Sequence, residues 1–160
     1  MKIQYEIEIN APVDKIWAIF DGDAAYFQTH PTIKSYVATN GKHGHEGTVA
    51  RLITSEGPYE IESTSTVIER EAPRAISYMF QSGVASYTLH CRMEPRGDGF
   101  LYTNEAKLVF HGLYKLVMPI FGPLICSRIY DNMRHVKDYL EGRSEAFLEK
   151  PALQATGKTA

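Results

Sequence analysis

The chain has 160 residues, 44% hydrophobic and 22% charged, values that describe one globular domain and exclude a disordered, collagen-like or coiled-coil chain. A net charge of -2, from 17 basic and 19 acidic side chains, lacks the basic excess that a phosphate backbone requires, so no nucleic-acid partner is expected. Two cysteines, Cys91 and Cys126, are too few for a disulfide-stapled secreted scaffold and point to reduced thiols in a cytoplasmic protein.

The first element alternates Ile3, Tyr5, Ile7 and Ile9 with Gln4, Glu6 and Glu8, the period-two pattern of a strand with one wet face. Asn10 then offers a side-chain cap, Pro12 suits a first helical turn, and Ile16, Trp17, Ile19 and Phe20 follow at helical spacing as far as Asp21-Gly22. A second short helix is predicted through Ala24 to Thr29, stopped at His30-Pro31 because the residue before proline is pushed out of the helical region.

From Ile33 to Phe110 the sequence reads as strands separated by Asn40-Gly41, Glu56-Gly57-Pro58, Ala72-Pro73, Ser82-Gly83 and Arg96-Gly97-Asp98-Gly99. Turns this short imply an antiparallel meander. Four sets share strand parity: Tyr59, Ile61, Ser63, Ser65 and Val67; Ile76, Tyr78 and Phe80; Tyr87, Leu89, Cys91 and Met93; and Phe100, Tyr102, Asn104, Ala106, Leu108 and Phe110. One sheet face is therefore apolar with a few polar insertions.

The last element is predicted to run from about Gly112 to Gly142. Its second half carries Ile125, Cys126, Ile129, Tyr130, Met133, Val136 and Leu140 on one stripe, with Arg128, Asp131, Arg134, His135 and Asp138 facing away. In the first half, Leu113, Leu116, Val117, Met118, Ile120, Phe121 and Leu124 surround the whole circumference, so this part is buried on several sides, covers a cavity mouth or meets a partner. Pro119 and Pro123 leave two readings open: a bent helix acting as a lid, or a loop with the helix beginning at Pro123. Lys115, Pro119, Gly122 and Pro123 also interrupt the stretch short of the roughly 20 apolar residues of a membrane span, so no stable membrane insertion is expected. One domain over residues 1–145 and a frayed tail over 146–160 complete the organisation.

A segment running from Ile7 through Asn10-Ala11-Pro12-Val13 to Ile16-Trp17 resembles the opening of the SRPBCC superfamily, the START and birch-pollen-allergen-like fold, and within it the polyketide cyclase/dehydrase-like proteins. Pro31-x-Ile33, Glu46-Gly47-Thr48-Val49-Ala50-Arg51, Ala72-Pro73-Arg74-Ala75-Ile76 and the helix ending Met133-Arg134-His135-Val136 support it. Two departures stand out: Tyr26-Phe27 occupies a place where many relatives carry tryptophan, and Gly99-Phe100 replaces a glycine-threonine pair. The resemblance implies an α+β helix-grip fold, with a curved antiparallel sheet of about seven strands wrapped around the terminal helix and two short helices after the first strand. It also implies a cavity between sheet and helix for a small hydrophobic molecule.

Polar groups on the apolar parity are the natural candidates to line such a cavity. Each buried hydroxyl or amide without a partner costs about 1–3 kcal/mol, so a wet, partly apolar pocket explains several together better than a sealed core does. Tyr59, Ser63, Ser65, Tyr78, Tyr87, Tyr102 and Asn104 belong to this set, with Tyr5 and Cys91 beside them and Met118, Phe121 and Ile125 supplied by the terminal element. The family likeness suggests an inward arginine in this part of the sheet, for which Arg51 is the candidate; a solvated Arg51 is the competing reading, because both parities of its strand are mixed. His30 is either a proton-transfer group or a turn-bonding histidine. His43-Gly44-His45-Glu46 sits in a glycine-rich turn with no evident further ligand, Glu60 and Glu62 face water, and no metal or cofactor is expected.

Three functions follow as expectations. The first is binding of an aromatic, polyketide-like or lipid-like molecule in the cavity. The second is a cofactor-free cyclase, aromatase or dehydratase using Arg51 with Tyr78 or Tyr87, and His30 or a water for protons. The third is an interaction module, including a homodimer, that uses the Leu113 to Leu124 segment.

Overall fold

The computed structural model describes residues 1–22, 30–116 and 118–143, and of Glu56, Met118 and Phe121 the backbone only. The elements are β1 (Lys2–Ile9), α1 (Val13–Asp21), β2 (Ile33–Asn40), β3 (Val49–Glu56), β4 (Tyr59–Glu71), β5 (Ala75–Gln81), β6 (Ala85–Arg96), β7 (Gly99–Phe110), a 3-10 helix (Gly112–Leu116) and α2 (Met118–Leu140). The segment predicted as a second short helix and the tail from 146 onward lie outside the described residues.

The strands form one seven-stranded antiparallel sheet in the order β1-β7-β6-β5-β4-β3-β2. Each tight turn joins neighbouring strands, and among the described residues the only crossover is the one that brings β1 beside β7. Gly99 is required at the start of β7, because a Cβ there would collide with the carbonyl of Ile9 on the adjoining strand. This is the helix-grip architecture.

α1 closes one end of the sheet. Its inner face buries Ile16, Trp17, Ile19 and Phe20. Trp17 Nε1 donates to the Pro73 carbonyl at 3.0 Å, and the Arg70 guanidinium lies 4.7 Å over the same ring. Arg70 also donates to Asp21 Oδ1 and to the Gly44 carbonyl, both at 2.6 Å. Gly44 has φ 76°, and a Cβ on it would meet the Asp21 carboxylate, so only glycine fits this junction. Asn10 does not cap α1 through its side chain. Pro12 occupies the cap position, and the Asn10 amide instead donates to Glu141 Oε1 at 2.8 Å, tying the chain entering α1 to the end of α2.

The core falls into two clusters. One is built on α1, the inner faces of β3 to β7 and the C-terminal half of α2; the other gathers Ile3, Ala106, Leu108 and Phe110 with Ile125, Cys126 and Ile129. Tyr5, Tyr87 and Leu89 pack against both. α2 rests chiefly on β1 and touches α1, so the concave faces of the middle strands are not covered by closely pressed helix.

The terminal element does not take the form of a loop followed by a helix beginning at Pro123. The chain makes a short 3-10 turn, and α2 then begins at Met118 with both prolines inside its limits. Pro119 falls in the first turn, where a backbone N–H has no helical acceptor, and Pro123 forfeits one ladder bond. Of the three readings of its first half, burial on several sides is not observed. Leu113, Leu116 and Ile120 are 82%, 76% and 74% exposed.

Candidate functional site

Between the concave sheet face and α2 lies a cavity of about 300 Å³. Ile16, Ile19 and Phe20 of α1 form one end. Leu52 and Thr54 of β3 and Ile61 and Ser63 of β4 form a side wall; Tyr78 and Phe80 of β5 face Tyr87, Leu89 and Cys91 of β6. β7 contributes Tyr102, Asn104, Leu108 and Phe110, and α2 covers the space with Ile125, Arg128, Ile129, Asn132 and Val136.

Local structure aims these side chains. Alternation along β6 and β7 sends Tyr87, Leu89 and Cys91, and Tyr102 and Asn104, to the same face, and the register sets Cys91 directly opposite Asn104. Phe80 and Tyr87 are paired across β5 and β6, with ring centroids 4.4 Å apart and planes 12° from parallel. The β5–β6 turn at the rim is held by Ser82, whose Oγ donates to the Ala85 carbonyl at 2.9 Å and accepts from the Val84 and Ala85 amides. His30 reaches the cavity from a turn in which the Ile33 amide donates to its carbonyl at 3.0 Å.

Inside, the polar groups are mostly neutral. Burial raises the Tyr78 and Tyr87 hydroxyls well above the ordinary phenol range, so both remain protonated at neutral pH. Burial pushes the Cys91 thiol up to about 12, opposed by the hydroxyl of Tyr102, which donates to Sγ at 3.6 Å. A thiol held there is not a nucleophile. Asn104 is 6% exposed, and its Oδ1 is buried without a hydrogen-bond partner among the described residues. No carboxylate lines the space among the described residues, and the only ionisable nitrogen groups are His30 and Arg128.

The candidates divide accordingly. Tyr78, Tyr87, Cys91, Tyr102, Asn104, Ile125 and His30 line the cavity. Arg51 does not: pairing sets it opposite Thr64 on the outer face, where its Nε and Nη2 donate to Glu62 at 2.6 and 2.8 Å with both side chains more than half exposed. The inward reading of Arg51 is thus corrected. Tyr59 begins β4 beside the Gly57-Pro58 turn and is 73% exposed, beyond the reach of the cavity. Ser65 is fully buried, but among core side chains rather than on the cavity wall. Tyr5 packs against the Tyr130 ring at 5.4 Å, also off the wall. The side chains of Met118 and Phe121 lie outside the described residues.

Sequence reasoning missed the α1 contribution, the β3 wall and two polar residues of α2. Its charge puts Arg128 on the wet face of the predicted helix, yet Ile125, Arg128 or Ile129, Asn132 and Val136 recur at three- and four-residue steps, the spacing of one helical face. His43 is buried against the Tyr36 ring at 4.6 Å, and no group of metal-ligating side chains occurs among the described residues.

Fold and hollow together define a helix-grip protein with an internal cavity. The chain belongs to the family described as polyketide cyclase / dehydrase and lipid transport, whose model matches residues 1–152, and with it to the SRPBCC superfamily. A search of curated proteins gives no match. Among solved structures it is similar to the Zhui aromatase/cyclase from a Streptomyces species, at 14% identity and TM-score 0.76 over 91% of this chain and 97% of that one. It is also similar to Ara h 8.0201, at 15% identity and TM-score 0.70 over 89% and 98% of the two chains. Major latex-like protein 151 from Panax ginseng matches at 12% identity and TM-score 0.66 over 88% and 97%. At these identities the likeness is one of fold. No helix among the described residues is long and apolar enough to cross a membrane.

Proposed function

We propose that the protein binds a small hydrophobic molecule carrying one neutral hydrogen-bonding group, with its apolar body between the sheet and α2 and that group at Asn104. The observation that carries this reading is the Asn104 carboxamide, whose Oδ1 is buried without a partner beside the hollow. An unmatched buried amide costs about 1–3 kcal/mol, which a ligand hydroxyl or amine would recover. The Phe80–Tyr87 stack supplies a flat wall suited to an aromatic or polyene body. The lack of lining carboxylates among the described residues favours a ligand without strong positive charge.

Catalysis is the less supported reading. A cyclase mechanism using Arg51 has no carbonyl within that residue's reach, because the guanidinium is committed to Glu62 outside. Of the proposed catalytic side chains, His30, Tyr78 and Tyr87 line the cavity, and burial leaves both tyrosines donors rather than bases.

Titration with the neutral fluorescent amine N-phenyl-1-naphthylamine tests the reading. Saturable binding of one probe per chain is expected, weakened about tenfold or more by Ser63→Phe, which projects a ring into the cavity from the β4 wall. The absence of a saturable site in the folded wild-type protein would refute the proposal.

A further inference from the structure

Beyond the cavity, one surface remains unexplained. Leu113, Leu116 and Ile120 project almost fully into solvent, and Val109, Tyr114 and Leu124 are about half exposed beside them in sequence. These side chains come from the end of β7, the 3-10 turn and the first turns of α2, which form one continuous length of chain. Single exposed apolar residues are ordinary, but so many large ones in succession mark a docking surface.

The charge around them selects the occupant. No acidic residue occurs between Glu105 and Asp131, while Lys107 and Lys115 fall within that interval and Arg128 turns to the cavity, in a chain whose acidic residues outnumber its basic ones. Lys107 and Lys115 are exposed. A two-fold pairing of this surface with a second copy would bring like charges together at its rim. Protruding leucine and isoleucine, an intermediate tyrosine and flanking lysines instead match what a bilayer interface accepts: apolar tips among acyl chains, an aromatic at headgroup depth, cations on anionic headgroups.

We infer that the Val109 to Leu124 surface docks reversibly on an anionic lipid bilayer. Neighbouring positions on the same elements, Phe110 and Ile125, line the cavity, so docking would set this end of the hollow against the membrane. The net charge of -2 gives no long-range attraction, and few cations are present, so the apolar tips must supply much of the hold.

Co-sedimentation of the full chain with vesicles tests this, using phosphatidylcholine alone and with about one-third phosphatidylglycerol. Binding is expected on the anionic vesicles, weaker on the neutral ones and falling as salt rises. Lys115→Ala should weaken it about fivefold, the effect of one surface cation. Combined Leu113→Glu, Leu116→Glu and Ile120→Glu should weaken it about tenfold or more, and because all three positions are solvent-exposed the fold should survive, as circular dichroism would verify. Ser63→Phe should leave vesicle binding intact, which separates this inference from the cavity reading. No association with anionic vesicles at low salt would overturn it, as would equal association by the triple variant. So would a concentration-dependent dimer that the triple variant dissolves while wild-type protein ignores vesicles.

Discussion

Tyr102 and Asn104 stand two positions apart on β7 and face the same hollow, yet they differ in how they are satisfied: the tyrosine hydroxyl donates to Cys91 Sγ at 3.6 Å, whereas the asparagine carbonyl oxygen is buried with no partner among the described residues. The contrast gives the cavity a direction. One buried polar group is satisfied within the wall; the next has no partner there, and the proposed ligand would supply it.

Asn104→Leu should therefore stabilise the empty protein. Replacing a buried, unmatched amide by an apolar side chain of similar volume removes a desolvation penalty, and a gain of about 1 kcal/mol is expected. Urea denaturation in ligand-free buffer measures it. A loss of 1 kcal/mol or more would mean that Asn104 already has a partner in the empty state.

Arg51→Ala should leave probe binding in the cavity unchanged. The Arg51–Glu62 pair is solvent-exposed, and its mutual hydrogen bonding raises the arginine pKa and lowers the carboxylate's. Exposed pairs contribute little, so the thermal midpoint should stay within about 2 °C of wild type. A large loss of probe affinity would return Arg51 to the site.

The two cysteines should separate under a thiol reagent. Cys91 is fully buried and its thiol is pushed up to about 12, whereas Cys126 is partly exposed on α2. Ellman's reagent should titrate one thiol per chain in the native protein and two in denaturant. Rapid native modification of both would show that the Cys91 wall opens readily.

Acid should remove a specific stabilisation at the end of α2. The Glu141 side chain is 5% exposed. Burial alone would raise its pKa, but the Lys137 ammonium, the Asn10 amide and Arg143 together bring it below 4.5. A depressed folded-state pKa gives stability that is fully present above the unfolded value of 4.5 and is lost as pH falls through the folded one. Glu141→Ala should cost about 1–2 kcal/mol at pH 7 and progressively less as the pH falls below 4.5. A penalty unchanged at low pH would assign the effect to packing.

Much of the fold could be read from residue patterns, because alternation and turn residues act locally. Inward residues of β5, β6 and β7 follow from parity alone. β3 does not: both of its faces carry mixed residues, and only pairing of Leu52 with Ser63 and of Arg51 with Thr64 decides which looks in. Register shifts defeat simple alternation elsewhere. β4 shifts between Val67 and Glu69, and β2 shifts between Ile33 and Ser35, so its buried Ile33 and Tyr36 are three apart. On α2, charge was a poor guide, because a helix beside a hollow can turn an arginine toward that space. The exposure of Leu113, Leu116 and Ile120 was hidden for a related reason: hydrophobicity predicts burial only when some other surface is there to meet it.

The most direct measurement compares the affinities of 2-naphthol and naphthalene for wild-type protein and for Asn104→Leu. The two compounds share an apolar body and differ by one hydroxyl. Wild-type protein should prefer 2-naphthol by about tenfold, roughly one net hydrogen bond, and the variant should lose that preference while still binding naphthalene. Equal affinities in the wild-type protein, or a preference that survives in the variant, would contradict a ligand held at Asn104.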